Sequence, residues 1–592
     1  MTLKTLTLTV AVCAGSALTA MSQQTLSATG AFQNWNPLEA VPLSYVEGKY
    51  TLEIDFSKGT DFKITTADLS GCTSENVWTV FDTGALTARV TTPGVPAMLS
   101  PGTPNIVSPV KVKTAVTVDL ESMTITIGDR SMQDKTWSGT LPVLFIDTEG
   151  YAPIVSKEDY LKGSYWLDPC GTDAEAFGSA EAPLPLQIKG RGNYSWLGFD
   201  KKPYRLKLDA KAGLLGMKKS KHFALLAHAD DSTGFMRNAL GFELSRRLGL
   251  AWTPADQPVE VVLNGDYIGL YFLTETIRVD KDRVDITEQP DNSEGDVTGG
   301  WLVEIDNYDS DPHVTVTSGD GQPIWFTYKS PEVLSEKQEQ YLSDQMTTID
   351  RLICSSDKND CRWADYVDLT DAARFYIVNE IMDDRESYHG SCYLYRNVGE
   401  NEKWHFGPVW DFGNSLMHDK TSYIYRNPPF RQVWIGEMCK FPQFMDVVKR
   451  EWMDFLSTPA CDLSGYFADL TGRIATAAAY DHERWPDYGA WNFSAASTEA
   501  YGRMLADINW LKEQWGGSSL ADVETDGAQP VVAVRSGQLV ITVATPCMLP
   551  AYTLDGRAVQ LTLSAGENTL SLPAGFYIIA GRKIMLYPGL WM

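Results

Sequence analysis

Polar and apolar positions alternate in short runs through residues 25–130, as in Tyr50-Thr51-Leu52-Glu53-Ile54-Asp55-Phe56, Phe62-Lys63-Ile64 and Ala115-Val116-Thr117-Val118-Asp119-Leu120. A period of two places successive side chains on opposite faces of a strand, and the Gly, Pro and Asn residues between the runs supply turns. Residues 25–130 are therefore expected to form a small all-β sandwich. From Leu141 the pattern changes: strand-like segments at 184–189, 204–208 and 259–263 alternate with segments of helical period at 234–248 and 371–382. This predicts an α+β block over residues 140–517, large enough for two lobes with a cleft, where ligands bind. Beyond Gly516-Gly517-Ser518-Ser519 the period of two returns at 531–534, 539–543, 569–572 and 576–579, which predicts a second β-sandwich over residues 525–592. The expected fold class is a multi-domain chain with a central α+β part between two all-β sandwiches.

Length agrees with this division, because single cores rarely grow beyond roughly 250 residues and the chain has 592. Residues 1–22 read as a signal peptide, with Lys4, a mostly apolar run from Leu6 to Ala20, and the small-x-small site Ala20-Met21-Ser22 before Gln23. The protein is expected to be exported, to the cell surface or the medium. A lipoprotein signal at Cys13 is disfavoured by Val12 before it. No later run of 18 apolar residues predicts a membrane span.

The formal net charge of −26 opposes a nucleic-acid or anionic-membrane partner. It leaves room for a local phosphate site, since salt screens distant charge beyond about 10 Å. The eight cysteines after Cys13 show no C-x-x-C spacing, so a structural zinc site is not expected. Cys354 and Cys361 are spaced to close a short disulfide loop. Seven histidines without an H-x-x-x-H pair, and the absence of a Gly-x-Ser-x-Gly elbow, argue against the hydrolases built on those devices.

Candidate chemistry begins at Leu186-Gln187-Ile188-Lys189-Gly190-Arg191-Gly192-Asn193-Tyr194-Ser195, followed by Lys201-Lys202-Pro203-Tyr204-Arg205-Leu206-Lys207-Leu208. The pattern reads as a strand, a Gly-containing polar turn and a returning basic strand. Amides of such a turn together with strand cations can cradle phosphate, although basic strands are more often solvated faces. Downstream lie Phe223-Ala224-Leu225-Leu226-Ala227, Met236-Arg237-Asn238 at a helix start, and Asn264-Gly265-Asp266-Tyr267-Ile268-Gly269-Leu270-Tyr271-Phe272-Leu273-Thr274-Glu275. Asn264-Gly265 is a type I′ hairpin signal. Further on come Trp301-Leu302-Val303-Glu304-Ile305-Asp306 and Trp410-Asp411-Phe412-Gly413.

In order and spacing these motifs resemble the CotH family of secreted atypical protein kinases, over roughly residues 180 to 420. The resemblance implies a two-lobed, kinase-like fold that uses ATP with Mg²⁺ or Mn²⁺ and phosphorylates protein hydroxyls. It implies a phosphate clamp from Arg191, Asn193 and Ser195 in the turn with Lys202 or Lys207, the choice between the lysines being open. Glu243, on the following helix, is the expected partner of that lysine, and Glu275 an expected hinge or ribose contact. Asp411, helped by Asn414, is the expected metal ligand. The catalytic base falls in Met382-Asp383-Asp384-Arg385-Glu386, where the family's Asp is replaced by Glu386, with Asp384 as the alternative. Moving a proton acceptor by about 1 Å can cost on the order of a hundredfold in rate. A non-catalytic, pseudokinase-like binder is therefore the rival reading.

Two flanking resemblances complete the picture. Ala31-Phe32-Gln33-Asn34-Trp35-Asn36-Pro37 and the strands after it resemble the repeated domains of SusE/SusF-type starch-binding proteins. That resemblance makes Trp35 and Trp78 candidate platforms for sugar rings and a polysaccharide a candidate partner, the plainer reading of each being a core tryptophan. Tyr552-Thr553-Leu554-Asp555-Gly556-Arg557, Leu572-Pro573-Ala574-Gly575-Phe576-Tyr577 and Gly581-Arg582-Lys583 resemble the C-terminal sorting domain of type IX secretion substrates.

Overall fold

The computed structural model describes residues 25–129, 132, 137–306, 308, 311–399, 401–426, 428–490, 492–516, 530–535, 538–543, 545–553, 558–573, 575–579 and 582–586. The expected signal peptide, the linker positions Gly517-Ser518-Ser519, and Leu554-Asp555-Gly556-Arg557, Ala574 and Gly581 of the C-terminal motifs lie outside the described residues. The chain divides into two compact units: residues 1–134 with 151–153, and residues 135–150 with 154–592.

The first unit holds a six-stranded and a five-stranded sheet. The strands Lys49–Asp55 and Lys113–Asp119 pair antiparallel with Glu53 opposite Ala115. Their alternation sends Tyr50, Ile54, Val116 and Val118 into one core with Phe62 and Ile64. The sequence pattern did not anticipate the helix Val77–Thr83, which carries Trp78.

In the second unit a closed barrel comes first. Its strands are β1 (Val143–Thr148), β2 (Leu161–Asp168), β3 (Leu184–Gly190), β4 (Tyr204–Ala212) and β5 (Ser220–Leu226). Helix α1 (Met236–Leu248) follows, then β6 (Asp256–Leu263) and β7 (Asp266–Glu275). The order around the barrel is β1-β2-β3-β4-β5-β7-β6, closed by a parallel pairing of β6 with β1. Leu186, Ile188, Leu206, Leu208, Phe223, Leu225 and Leu273 fill its interior. Because side chains alternate, the register Lys189–Arg205–Ala224–Thr274 across β3, β4, β5 and β7 belongs to the outer face. The β6–β7 turn is the I′ turn the sequence predicts, with φ +54° at Asn264 and +83° at Gly265. The Asn264 side chain accepts a hydrogen bond from the Thr148 amide at 2.8 Å, tying the hairpin to β1.

Next comes a five-stranded sheet built from β8 (Trp301–Asp306), β9 (His313–Thr317), β10 (Pro323–Ser330), β11 (Cys392–Arg396) and β12 (His405–Phe406), in the order β9-β10-β8-β11-β12. Helices α2 (Glu336–Ile353) and α3 (Leu369–Ile381) are inserted before β11, and α4 (Pro442–Leu456), α5 (Ser464–Arg484) and α6 (Phe493–Trp515) follow. A Ser335/Gln338 capping box starts α2, and the Asp368 carboxylate caps α3 by accepting from the Thr370 and Asp371 amides. These helices bury their apolar faces in one continuous core that also takes in α1. Two further sheets, of three and four strands between Val531 and Leu586, share a small core of Leu539, Ile541, Leu561 and Ile579.

The eight described cysteines are free thiols, which corrects the expected Cys354–Cys361 bridge. Cys354 ends α2, and its Sγ instead faces the Asp350 carboxylate one turn back, at 3.7 Å.

Candidate functional site

A small open pocket of about 100 Å³ adjoins the outer face of the barrel, lined by Arg191, Arg205, Ala224, Thr276, Ile277, Tyr393 and Trp410. Four separate stretches of sequence meet there: the turn after β3, the paired strands β4 and β5, the segment leaving β7, and the strand and turn that include β11 and Trp410.

The barrel side is cationic. Arg191 stands over the Trp410 ring at 5.5 Å; burial pulls its pKa down, opposed by the nearby Asp411. Arg205 sits on β4, and its Nε is buried without a hydrogen-bond partner. No ion pair within 4 Å is formed by either guanidinium among the described residues. Next along the outer face, His222 is pushed down to about 4 by burial and by Arg278, Arg205, Lys207 and Arg283. A chain of net charge −26 thus places two guanidinium groups in one pocket, with further cations on the adjoining barrel face. A buried donor without a partner is costly, and an anion relieves that cost.

Thr276 and Ile277 leave β7 along the pocket wall. Arg283 fixes this segment by donating to the Thr276 carbonyl at 2.5 Å and to its hydroxyl at 2.8 Å. Glu275, just before it, is buried, and its Oε2 accepts from the Ala255 amide at 3.1 Å. Burial raises its pKa. The expected hinge position therefore carries an inward carboxylate, and the two residues after it form the wall.

Directly after Trp410 of the pocket wall, the chain enters an acidic cluster. Asp411 is exposed and left-handed, with φ +58°, a conformation Asp tolerates better than most side chains. The Asn414 side-chain amide donates to Glu386 Oε2. The Glu386 amide in turn donates to Asp384 Oδ1 at 3.1 Å. Burial, and then the charges of Glu386 and Asp411, raise Asp384 well above the usual carboxylate range. Glu386 is raised by burial and by Asp411, against the Asn414 hydrogen bond. The structure thus gathers Asp384, Glu386, Asp411 and Asn414, as the sequence expected. The three carboxylates do not bring their oxygens within 4.8 Å of one another; one or two carboxylate or amide oxygens, as on Asp411 and Asn414, are nevertheless the ligand type that Mg²⁺ takes beside phosphate oxygens.

Other expected residues lie elsewhere. Lys202 Nζ donates to the Trp196 carbonyl at 2.6 Å, securing the turn rather than facing the pocket. Lys207 is exposed on the outer face of β4, 6.0 Å from the Tyr160 ring. Asn193 accepts from Lys157, and Ser195 Oγ lies against Gly192; neither residue lines the pocket. The expected pairing of Glu243 with a strand lysine is corrected. Glu243 binds Arg246 at 3.1 Å and Arg247 at 2.7 Å on its own helix, where i,i+3 and i,i+4 neighbours meet. Beside Lys202, Lys201 is fully buried, 2.7 Å from Asp481 and 2.9 Å from the Leu270 carbonyl.

Arg205 is the residue that sequence reasoning passed over. Strand alternation was the available signal: positions 205 and 207 share a face of β4, whereas Lys202 precedes Pro203 and lies before the strand. Trp35, left-handed with φ +57°, is partly buried, and Trp78 packs on Phe81 with Lys63 Nζ 5.8 Å from its ring. Among the described residues, Asp368, Asp371 and His405 come close enough together to hold a metal ion. Their own contacts account for them, since Asp368 caps α3 and Asp371 pairs with His405 at 2.7 Å.

The sequence pattern described as CotH kinase protein matches residues 187–513, more than half of the chain. The chain belongs to the CotH kinase family. Every residue lining the pocket and every member of the carboxylate group falls inside the CotH match, whereas residues 25–130 and 525–592 fall outside it. No curated protein matches the chain. Among the described residues no helix is long and apolar enough to cross a membrane.

Proposed function

We propose that this CotH family member is an exported protein kinase that transfers the ATP γ-phosphoryl group to protein hydroxyls at or outside the cell surface. The observation that carries the transfer reading is that the pocket lined by Arg191, Arg205 and Trp410 adjoins the Asp411 carboxylate, whose charge acts both on Arg191 and on Glu386, itself bound by Asn414. Export rests on the apolar N-terminal segment of the sequence.

Phosphoryl transfer depends on positioning and on balancing charge, with little covalent work for the protein. Arg191 and Arg205 donate to phosphate oxygens. Asp411 and Asn414 would hold the divalent metal, which when bound neutralises phosphate charge. Glu386 accepts the proton of the acceptor hydroxyl on its carboxylate, and its raised pKa strengthens it as a base. Asp384, only 1% exposed, holds the Glu386 backbone and is closed off from an acceptor.

One observation favours a second reading, an ATP binder without transfer: the Asn414 amide already occupies Glu386 Oε2. Incubating the purified chain with labelled ATP and Mg²⁺ or Mn²⁺, beside Asp411→Ala and Glu386→Gln, separates the two. Label incorporation that both substitutions abolish supports the kinase. Metal-dependent ATP binding without incorporation supports the binder, and absence of ATP binding overturns both.

A further inference from the structure

Ordinary coupling between the helix of a kinase-like fold and its nucleotide site runs through a Lys–Glu ion pair, and here Glu243 is committed to Arg246 and Arg247. Another connection between α1 and the metal side is present. At the first turn of α1, Asn238 Oδ1 accepts the Phe412 amide proton at 2.9 Å. The preceding residue, Arg237, donates through Nη1 to the Gly413 carbonyl. Two consecutive side chains thus hold the first and the third peptide groups that follow Asp411. These bonds bridge 174 and 176 positions of sequence.

Arg237 is itself fixed. Its side chain is 5% exposed; Nε lies 3.3 Å from Asp231 Oδ1 and Nη2 lies 3.4 Å from Asp230 Oδ1. Asp231 also accepts from the Thr233 amide at 2.7 Å and hydroxyl at 2.5 Å, and its other oxygen lies 3.3 Å from His228 Nδ1. Burial alone would lower the pKa of Arg237, but Asp231, Asp230 and Asp411 hold it up, so the guanidinium stays charged. The Phe412 ring meanwhile packs on Gly241, one turn further along α1. Asp411 itself stands in the left-handed region at φ +58°, and the two bonds fix the turn that follows it.

We propose that Arg237 and Asn238 are positioning residues that clamp the Asp411-Phe412-Gly413 turn and so set the affinity of the site for metal-bound nucleotide. The role rests on the reading of Asp411 as a metal ligand. The clamp takes the place of the Lys–Glu pair: α1 holds the backbone that presents the metal's carboxylate and leaves the phosphate cations of the barrel untouched. Its signature is therefore selective. Breaking it weakens Mn²⁺-dependent nucleotide binding and spares whatever affinity Arg191 and Arg205 provide without metal.

The test uses the full chain, with ATP titrated in Mn²⁺ and again in EDTA, for the unaltered protein and for Asn238→Ala, Arg237→Gln, Arg237→Lys and Asp230→Asn. Removing a residue that orients a metal ligand typically costs about 10–100-fold in affinity. A loss of about that size in Mn²⁺ is expected for Asn238→Ala and Arg237→Gln, with affinity in EDTA unchanged. Arg237→Lys should recover part of the loss, and Asp230→Asn, altering an exposed partner, should show a smaller one. Hydrogen exchange supplies a readout independent of nucleotide: the Phe412 amide should exchange faster in Asn238→Ala. Should Arg237→Gln fail to fold, Asn238→Ala and Asp230→Asn carry the test. Folded Asn238→Ala and Asp230→Asn with unaltered Mn²⁺ dependence overturn the role and leave the kinase reading standing. Unchanged exchange at Phe412 overturns the clamp itself. If the unaltered chain binds no ATP in either condition, the kinase reading falls and the role falls with it.

Discussion

Arg205 on β4 is paired directly with Ala224 on β5, and both residues line the pocket opposite Tyr393 and Trp410. The small Ala224 side chain leaves room beside a guanidinium whose Nε has no hydrogen-bond partner. Arg205→Ala should therefore remove a phosphate contact. Hydrogen bonds to charged groups contribute about 1.5–3 kcal/mol, which is a loss of roughly 10–150-fold in ATP affinity. Lys207→Ala should leave affinity nearly unchanged, because Lys207 is solvated on the outer face. Calorimetric titration of both variants decides the matter, and equal losses would remove Arg205 from its assigned role.

Lys201 serves the fold. It is 1% exposed, with Asp481 of α5 at 2.7 Å, and that same carboxylate accepts the Leu270 amide proton at 2.8 Å. The pair joins the start of β4 to β7 and α5 in the barrel wall. Breaking a buried ion pair from one side leaves a charge stranded and costs about 3–5 kcal/mol. Lys201→Met is expected to lower the unfolding free energy by that amount, measured by urea denaturation, while the folded fraction still binds ATP. Undiminished stability combined with lost ATP binding would falsify the structural assignment.

How far the sequence foretold this arrangement depends on whether a feature is local. The Asn264-Gly265 turn, the strands near 184–189, 204–208 and 259–263 and the helices near 234–248 and 371–382 follow from periodicity and turn chemistry, which act over a few residues, whereas the closure of the barrel does not. Asp411, Glu386 and Asn414 were legible because the family's motifs mark them. Lys202 looked equivalent to Arg205 in a basic stretch, but Pro203 and the strand start put it beside Trp196. Glu243 looked free to meet a lysine, yet its own helix carries two arginines within reach. The Arg237–Gly413 and Asn238–Phe412 bonds were illegible for a different reason. They join residues more than 170 positions apart through backbone groups, which no side-chain pattern announces.

Glu304 on β8 gives the molecule a pH dependence near neutrality. It faces Tyr393 across the β8–β11 pair and binds Lys329 at 3.0 Å, with Asp306 and Asp311 also near that lysine. Burial raises Glu304 from the usual 4.5 to about 7, against the pull of Lys329. Because the folded value is the higher one, the protonated carboxyl favours the fold. That contribution is fully present below pH 4.5 and is lost as pH rises through about 7. Glu304→Gln, which cannot ionise, should flatten the fall in stability across this window. Melting temperatures of the two proteins at several pH values test it, and parallel profiles would rule out Glu304 as the source.

Gly241 on α1 is set by the Phe412 ring, which a β-carbon at that position would overlap. Two opposing effects meet in Gly241→Ala. Alanine in a helix interior gains about 1 kcal/mol over glycine from chain entropy. Overpacking a closed core costs about 1–3 kcal/mol, and here the obstacle is a fully buried aromatic ring whose backbone is held by Asn238. Overpacking should win, so the melting temperature should fall. The displaced ring should also carry Asp411 with it and weaken Mn²⁺-dependent ATP binding. Phe412→Leu in the same chain makes room for the new methyl group, so the double variant should recover part of the stability lost by Gly241→Ala, as contacting residues do not act additively. A double variant whose losses simply add would show that the two residues do not press on one another.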